Sequence, residues 1–400
     1  MNKIYQTAII GGGSAGLMTA VELVSGSDAL KGSDVVILER NDRVGKKLIA
    51  TGNGQGNLTN LNFGAEFFYG NSNFINAFIE SAKEINLIEY LKKLGIYTFA
   101  NKEGKVYPLS RQASSVLDTI RLYLNKRGVE EITSCKVNKV EREGNKYKIQ
   151  AEGKTFYAIN VVFAFGGAVA KQFGTDGSAY ALLEGFGHKC TKTYPSLVQL
   201  KTELDKIRGL KGLKEVAKVT AIKGGKELMS VTGDLLFTEF GVSGSTIFSL
   251  SACVVDKEDV TLKVEFLPDL NQEQIESILL DREQYCAHLQ DEYLLGLINK
   301  RVGQAVLKAA RSKCAKDVAF ALKNFTLNVT GNLGANYAQV TKGGIKTDYV
   351  DENSYQSKLT KNLYIIGEAL DVDGDCGGYN LTFAFVSAIK CAKSIKQSIR

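Results

Sequence analysis

A glycine-rich turn near the N-terminus constrains the fold of this chain more than any other feature. Residues 11–16 read Gly-Gly-Gly-Ser-Ala-Gly, a GxGxxG pattern. The turn follows an apolar run at 7–10 and precedes a segment with helical apolar spacing at 17–23; a second apolar run comes at 34–39. A strand, a glycine turn, a helix and a strand in this order predict a βαβ unit that binds a dinucleotide, with the pyrophosphate at the N-terminus of the helix. A glycine turn without a ligand is the alternative.

An acidic residue follows at the position that a dinucleotide site requires. Glu39 ends the second apolar run, where its carboxylate can bind ribose hydroxyls and disfavours a 2′-phosphate. The motif alone fits NAD as well as FAD. Three features together favour FAD: the sequence has no second GxGxxG after a strand, an apolar run at 160–165 ends at Gly166-Gly167, and a late run ends at Gly367-Glu368. The Glu368 carboxylate can hold a ribityl chain.

The pattern of apolar and polar residues along the chain predicts three domains in an α/β protein. The two ends of the chain carry the strand and helix patterns of one domain, whereas the middle first alternates β-branched and polar residues and then becomes helical. We expect residues 1–189 and 344–400 to form the dinucleotide-binding domain. We expect 190–268 with 324–343 to form a β-rich inserted substrate domain, and 269–323 to form a small helical domain.

Charge is segregated within the insertion. The formal net charge is +7. Residues 269–292 hold seven acids and one base, 300–323 hold seven bases and one acid, and 201–226 hold eight bases and three acids. The favoured interpretation is that the acidic and basic runs pair across a helical hairpin. The alternative is an RNA-binding face.

Cysteine usage and apolar runs indicate the compartment. The seven cysteines are odd in number and form no CxxC, which predicts reduced thiols. No signal-peptide pattern is present, no apolar run has the length of a membrane helix, and no His/Cys/carboxylate cluster indicates a metal site. We therefore expect a cytoplasmic protein without a membrane partner.

Four segments resemble the flavoprotein family that includes aminoacetone oxidases, a bile-acid-operon flavoprotein and an rRNA dihydrouridine synthase. They read GKKLIATGNG at 45–54, VYPLS at 106–110, LFTEFGVSG at 236–244 and GEALDVDGDCGGYNL at 367–381. The resemblance implies bound FAD and a glutathione-reductase-like FAD-binding Rossmann domain, split by a β-rich inserted domain and a small helical domain. This chain departs from the family at Gln55-Gly56, where the family usually has Arg-Cys. A role for that arginine or cysteine is therefore not expected here.

The glycine turn, its acid and the resemblance together assign cofactor-binding residues. They are Gly11, Gly13, Ser14, Ala15, Gly16, Glu39, Arg40, Lys46, Lys47, Thr51, Gly52, Asn53, Gly54, Asn57, Val137, Ala164, Gly166, Gly167, Gly367, Glu368, Asp373, Gly378, Tyr379, Asn380 and Leu381. Residues 46–57 are expected along the pyrophosphate and the flavin edge. Residues 373–381 are expected around the isoalloxazine, where a helix N-terminus would stabilise negative charge on reduced flavin.

The function that follows is that of an FAD-dependent oxidoreductase, with hydride passing between a small-molecule substrate and flavin N5. The second half-reaction is expected to use transiently bound NAD(P)H or oxygen. Candidate catalytic residues are Cys376, Tyr379 and Glu239. Two alternatives stay open: a flavin-dependent dihydrouridine synthase that acts on 23S rRNA, and a flavin-binding module without turnover. The sequence indicates no stable protein partner.

Overall fold

The computed structural model describes residues 3–289 and 292–399. These residues form two compact units. The first contains the chain up to Thr193 and again from Val340 onward, and the second contains Tyr194–Gln339.

Strands and helices alternate in the first unit, and the second unit is richer in strands. The strands are β1 Ile4–Ile10, β2 Val35–Leu38, β3 Thr59–Asn60, β4 Phe68–Gly70, β5 Thr98–Ala100, β6 Lys105–Pro108, β7 Glu130–Ile132, β8 Val137–Glu143, β9 Lys146–Ala151, β10 Lys154–Phe163, β11 Tyr194–Ser196, β12 Leu200–Thr202, β13 Lys214–Lys223, β14 Lys226–Phe237, β15 Gly241–Ser243, β16 Val260–Phe266, β17 Phe325–Asn332, β18 Val340–Lys342, β19 Leu363–Ile365 and β20 Val372–Gly374. The helices are α1 Ser14–Leu23, α2 Lys46–Ala50, α3 Ser72–Ile85, α4 Leu87–Lys93, α5 Ala113–Lys126, α6 Ala181–Glu184, α7 Ser245–Val254, α8 Gln272–Tyr285, α9 Lys300–Ala309, α10 Ala315–Lys323 and α11 Tyr379–Ile399.

A seven-stranded sheet forms the centre of the first unit, with strand order β7-β2-β1-β10-β9-β8 and β19 also paired with β10. The pairs β7–β2, β2–β1, β1–β10 and β10–β19 are all parallel. Parallel strands place their carboxyl ends at one edge of the sheet, which is where open α/β sheets bind ligands. The residues that follow β1, β2, β10 and β19 therefore meet at this edge.

The strand and helix behind this edge are buried. All four residues of β2 are buried, as expected for a parallel strand covered on both faces. Helix α1 is buried along almost its whole length and packs against α11. Lys396 of α11 lies in the interior, with Nζ 2.9 Å from Glu22 Oε1 and 3.1 Å from Asp28 Oδ1. This buried ion group ties α11 to α1.

The second unit contains a closed barrel with strand order β12-β15-β14-β13-β16-β17. Residues from the barrel and from α7, α8, α9 and α10 share one apolar core. The predicted α/β fold with a β-rich insertion is confirmed, and the strands of that insertion close on themselves.

The segment after β2 has regular structure of its own. Lys46–Ala50 is a short helix, and a 3-10 turn follows at Thr51–Gly54. Gly45 permits this because it takes the left-handed φ of 73° at the start of the helix. Among the described residues, no helix combines the length and the apolar character that crossing a membrane requires.

Candidate functional site

The glycine turn lies at the carboxyl edge of the sheet and begins α1. Gly11 N–H donates to Leu38 O at 2.9 Å, which joins the ends of β1 and β2. A Cβ on Gly11 would lie 2.4 Å from Ala164 O, and one on Gly16 would lie 2.0 Å from Gly11 O. Only glycine fits at these two positions. A Cβ on Gly13 would instead meet nothing within 4 Å, so open space lies beside the N-terminus of α1.

Glu39 is held beside this turn by three donors. Its Oε2 accepts from Gly12 N–H at 2.8 Å, and its Oε1 accepts from the backbone and side-chain nitrogens of Asn41, each at 2.8 Å. The residue is 6% exposed. Cys135 N–H donates to Glu39 O at 2.8 Å, two residues before Val137 begins β8. A carboxylate has about four lone-pair sites, so Glu39 can still accept from ribose hydroxyls.

The neighbouring Arg40 is used differently. Its Nη1 donates to Asp176 Oδ1 at 2.8 Å and to Gly174 O at 3.2 Å. Arg40 therefore fastens residues 174–176, which were not assigned a role from the sequence.

A second group of residues meets around Glu368. Its Oε2 accepts from Lys47 Nζ at 2.6 Å, and its Oε1 accepts from Thr341 N–H at 2.9 Å. A Cβ on Gly167 would lie 2.7 Å from Glu368 Oε1, and one on Gly367 would lie 2.9 Å from Ala15 Cβ. The segment after β10, the turn after β19, helix α2 and strand β18 thus meet at one carboxylate. Thr341 was not predicted from the sequence.

The third group joins the loop after α2 to the start of α11. With its amide oriented to satisfy both partners, Asn57 donates to Thr59 O at 3.1 Å and accepts from Gly378 N–H at 3.2 Å. Thr382 Oγ1 donates to Thr59 Oγ1 at 2.7 Å, and Asn60 Nδ2 donates to Gly377 O at 3.0 Å. Thr59, Asn60 and Thr382 were also missed, because no local pattern marks them.

The remaining predicted residues lie in the glycine turn, in α2 and the turn after it, after β10, or at the start of α11. Lys46 Nζ is 2.6 Å from the exposed Asp42, and Thr51 Oγ1 donates to Leu48 O at 2.7 Å. Asn380 Oδ1 accepts from Gly374 N–H at 2.9 Å, while its Nδ2 donates to Gly374 O at 2.7 Å. The other predicted residues lie in the following elements: Ser14 in α1, Gly52, Asn53 and Gly54 in the 3-10 turn, Gly166 after β10, and Leu381 in α11.

Of the three candidate catalytic residues, Tyr379 and Cys376 lie in the first unit. Tyr379 is buried, stacks on Phe67 at 4.7 Å, and its hydroxyl donates to Asn62 O at 2.9 Å. Burial raises the pKa of the Cys376 thiol, so the nucleophilic thiolate is disfavoured. Glu239 belongs to the second unit, where it is exposed and pairs with Lys211 at 2.7 Å.

Acidic residues around β20 form the most unusual part of the site. Asp373 is 2% exposed, and its Oδ2 has no hydrogen-bond partner among the described residues. Burial raises the pKa of Asp373 to about 8. Burial likewise raises the pKa of Asp375 to about 6, although that carboxylate accepts from Tyr69 Oη at 2.8 Å. Among the described residues, no group of acids, histidines or cysteines has the arrangement of a metal site.

The residues of the first unit fit FAD. Open space at a helix N-terminus suits a pyrophosphate, an acid after β2 suits a ribose, and buried polar groups with spare capacity suit a flavin. Gly13 and Glu39 would hold the ADP half, Glu368 would hold the ribityl chain, and residues 373–381 would lie at the ring system.

Comparison with known proteins supports FAD as the cofactor. The HI0933-like protein Rossmann domain family matches residues 5–394. The chain is 32% identical to the 3-dehydro-bile acid delta(4,6)-reductase of Clostridium scindens, over 97% of each chain. It is 27% identical to the ribosomal RNA dihydrouridine synthase of Haemophilus influenzae, over 99% of this chain and all of that one.

A solved structure with the same overall fold is the 3-ketosteroid-delta4-(5alpha)-dehydrogenase of Rhodococcus jostii, in complex with 4-androstene-3,17-dione. Its TM-score is 0.53 at 13% identity, covering 99% of this chain and 98% of that one. The predicted flavoprotein resemblance, FAD and the class of enzyme are confirmed. The chain belongs to the HI0933-like family and is an FAD-dependent oxidoreductase.

Proposed function

We propose that this enzyme saturates a carbon–carbon double bond conjugated to a carbonyl group in a small molecule, with electrons from a nicotinamide dinucleotide. The relative that is 32% identical is named for reducing delta-4,6 double bonds in a 3-dehydro bile acid. In such a compound these bonds are conjugated to the 3-oxo group. The dihydrouridine synthase is named for a product in which a uracil double bond next to a carbonyl has been saturated. Both names therefore denote one type of reaction.

The observation that carries the proposal is the convergence of Lys47 and Thr341 on the Glu368 carboxylate, directly after β19 at the carboxyl edge of the sheet. When bound there, FAD supplies hydride chemistry. The protein would contribute orientation: Lys47 and Thr341 fix the Glu368 carboxylate, and Asn57 fixes the backbone before α11. Overall, two electrons and two protons are added across the double bond, and the nicotinamide is oxidised.

Anaerobic half-reactions test this function. The protein is loaded with FAD, reduced with NADH or NADPH in the absence of oxygen, and then mixed with 4-androstene-3,17-dione. We expect the flavin absorbance to return and a product two hydrogens heavier to form. The matched control is the saturated 3-ketone, which should leave the flavin reduced. Flavin that no conjugated carbonyl compound reoxidises would contradict the proposal.

A second candidate function, reduction of uridine in rRNA, is favoured by the charges of α9 and α10. Within residues 3–289 and 292–399, Lys300–Glu292 at 2.5 Å is the only ion pair between the acidic and basic runs. Five other bases make no ion pair with a described residue: Arg301, Lys308, Arg311, Lys313 and Lys316. Unpaired exposed bases can bind phosphates.

RNA binding measured against salt concentration tests this candidate. A uridine-containing 23S rRNA fragment is titrated with wild-type protein and with the triple variant Arg311→Glu, Lys313→Glu, Lys316→Glu. We expect weaker binding and a log–log salt slope reduced by roughly 2, since each phosphate contact contributes about 0.7 to 0.9. Lys83→Glu with Lys92→Glu is the control, because these lysines pair with acids on the helices α3 and α4. Equal salt slopes in all three proteins would rule out this surface.

A further inference from the structure

The hairpin of β5 and β6 exposes apolar side chains on the face where polar residues are expected. Val106 and Pro108 are buried, so Tyr107 and Leu109 lie on the opposite face of the hairpin. An antiparallel sheet with one buried face normally presents polar side chains to water on the other face. Here Leu109 is 62% exposed, and Tyr97 on the neighbouring segment is 57% exposed. Contiguous exposed apolar surface of this kind is typical of a binding site.

Two cross-strand pairs make this surface continuous. Phe99 pairs in register with Tyr107, and their rings stack with centroids 5.9 Å apart and an angle of 28° between the ring planes. Leu109 N–H donates to Tyr97 O at 2.9 Å, so these two residues form the next pair along the hairpin. Side chains that lie directly opposite each other on antiparallel strands share one face. We call these four residues the hairpin face: Tyr97, Phe99, Tyr107 and Leu109.

Arg111 adds a positive charge beside the hairpin face. Its guanidinium lies over the Phe99 ring, 4.7 Å from the centroid, and it makes no ion pair with a described residue. The Arg111 backbone has a left-handed φ of 53°, which is uncommon outside glycine, and its N–H donates to Pro108 O at 2.9 Å. Lys105 of β6 is already paired with Glu103 at 2.5 Å. Arg111 is therefore a cation that is held against an apolar surface without an acidic partner among the described residues.

The hairpin face adjoins the exposed turn that follows α2. A Cβ on Gly52 would lie 3.5 Å from Tyr107 Cε1, and one on Gly56 would lie 3.1 Å from Ala113 Cα. Tyr107 and Ala113 thus contact the two sides of this turn, and Arg111 lies in the segment that joins them. Residues 52–55 are exposed, so a ligand on the hairpin face can also touch the turn.

We propose that the hairpin face binds the substrate, and that this substrate is a flat apolar molecule whose single negative charge pairs with Arg111. The inference rests on the proposed reduction of a small conjugated carbonyl compound. Flat apolar rings fit a surface of stacked aromatic side chains, and a guanidinium is complementary to a carboxylate. Single-stranded RNA would need several unpaired cations along its backbone, whereas Lys105 on this hairpin is neutralised by Glu103. The charges of the face therefore favour a small monoanion.

A matched pair of ligands tests the role of Arg111. The compounds 4-androstene-3,17-dione and 3-oxoandrost-4-ene-17-carboxylate share their rings and their conjugated ketone, and only the second carries a charge. Each is titrated calorimetrically into full-length protein loaded with oxidised FAD, which has no hydride to donate, so binding is measured without turnover. We expect the carboxylate to bind more tightly than the diketone.

Two substitutions of Arg111 separate its charge from its backbone conformation. Asparagine tolerates a left-handed φ, so Arg111→Asn should stay folded while it loses the charge. In this variant the Kd of the carboxylate should rise about 5-fold, the scale of an exposed ion pair, and the preference over the diketone should disappear. Arg111→Lys keeps the charge and should keep the preference.

The apolar side chains are tested separately. The double variant Tyr97→Ser, Leu109→Ser should raise the Kd of both ligands about 10-fold, because the apolar area that the ligand covers is lost. Leu122→Ser is the matched control, since Leu122 is also 57% exposed but lies on α5, outside the hairpin face. This control should bind both ligands as the wild type does.

Several outcomes would overturn the proposal. They are a wild-type protein that binds neither ligand, equal affinities for the two ligands, and wild-type affinities in both Arg111→Asn and the double variant. Two further outcomes would assign the face to another occupant: a short single-stranded RNA that binds more tightly than the carboxylate and is lost in the double variant, or a dimer that the double variant converts to a monomer.

Anaerobic reoxidation distinguishes failure of the binding face from failure of the proposed reaction. Reduced flavin that is reoxidised equally well by the carboxylate in the wild type and in all variants would overturn the binding face and leave the reaction standing. Reduced flavin that neither ligand reoxidises, together with the expected changes in Kd, would contradict the reaction and support the binding face.

Discussion

The two ends of the cofactor site are built by opposite means. At the glycine turn, backbone atoms set the shape, and the one acid, Glu39, already has three hydrogen-bond donors. At β20, several acids lie together, and Asp373 keeps one oxygen without a described partner. The first end is a backbone site whose close-packed shape suits an anion. At the second end, burial raises the pKa of Asp373 to about 8, so this carboxyl group holds a proton at neutral pH.

The largest effect should come from adding a side chain to the close-packed glycine turn. In Gly16→Ala the new Cβ would lie 2.0 Å from Gly11 O, and a backbone oxygen in the turn cannot move aside easily. We expect a loss of about 3 kcal/mol in the free energy of unfolding, the upper end of typical overpacking costs, together with loss of FAD. Urea unfolding and flavin absorbance measure both. A stable variant that retains yellow colour would show that the turn is not close-packed.

An intermediate effect should come from the proton that Asp373 holds in the folded protein. The pKa of Asp373 is raised from 3.8 to about 8 in the folded protein, so between these values the folded state holds a proton that the unfolded state has lost. Stability must then fall as pH rises through this window, by up to about 1.4 kcal/mol per pH unit. The Asp373→Asn variant lacks this pH-dependent contribution to the free energy of unfolding.

Urea unfolding of the apoprotein at pH 5 and pH 8 measures the difference. We expect the stability of Asp373→Asn, relative to wild type, to increase from pH 5 to pH 8. Asp375→Asn should show less of this increase, because the pKa of Asp375 is raised only to about 6. Parallel pH profiles for wild type and Asp373→Asn would mean that Asp373 ionises normally.

The smallest effect should come from the open position in the turn. A Cβ on Gly13 meets nothing within 4 Å, and its φ of −80° suits any residue. Gly13→Ala should therefore remain folded, with a loss of at most about 1 kcal/mol because Gly13 is the N-cap of α1. Its methyl group would enter the space assigned to the pyrophosphate, so we expect FAD affinity to fall about 10-fold, or about 1.4 kcal/mol. Unchanged affinity would place the pyrophosphate elsewhere.

The sequence predicted the first end of the site better than the second for a physical reason. The turn at 11–16 and Glu39 belong to one βαβ unit, and their spacing determines their geometry. Thr341 is recruited to Glu368 through its backbone N–H, which any residue other than proline could supply. No sequence pattern marks such a contact. The protonation of Asp373 depends in turn on burial by β4, β18 and α11, which only tertiary structure provides.

The fold was likewise predicted where it depends on local sequence patterns, and not where it depends on contacts between distant segments. The alternating pattern of residues 190–267 indicated strands, but the closure of β12 to β17 into a barrel depends on pairings between strands far apart in the chain. Glu239 was grouped with Cys376 because both lie in segments that resemble one family. The structure describes it in the second unit, paired with Lys211.

The discontinuity of the first unit has a consequence for biosynthesis. Strand β19 and helix α11 follow the second unit in the chain, yet β19 pairs with β10 and Lys396 is buried against α1. While the ribosome is still translating residues 194–339, the nascent sheet lacks β19, and Glu368 does not yet exist. We therefore expect flavin incorporation to be a late event in synthesis, after the barrel residues have been made, and a ribosome stalled before β19 should carry a nascent chain without cofactor.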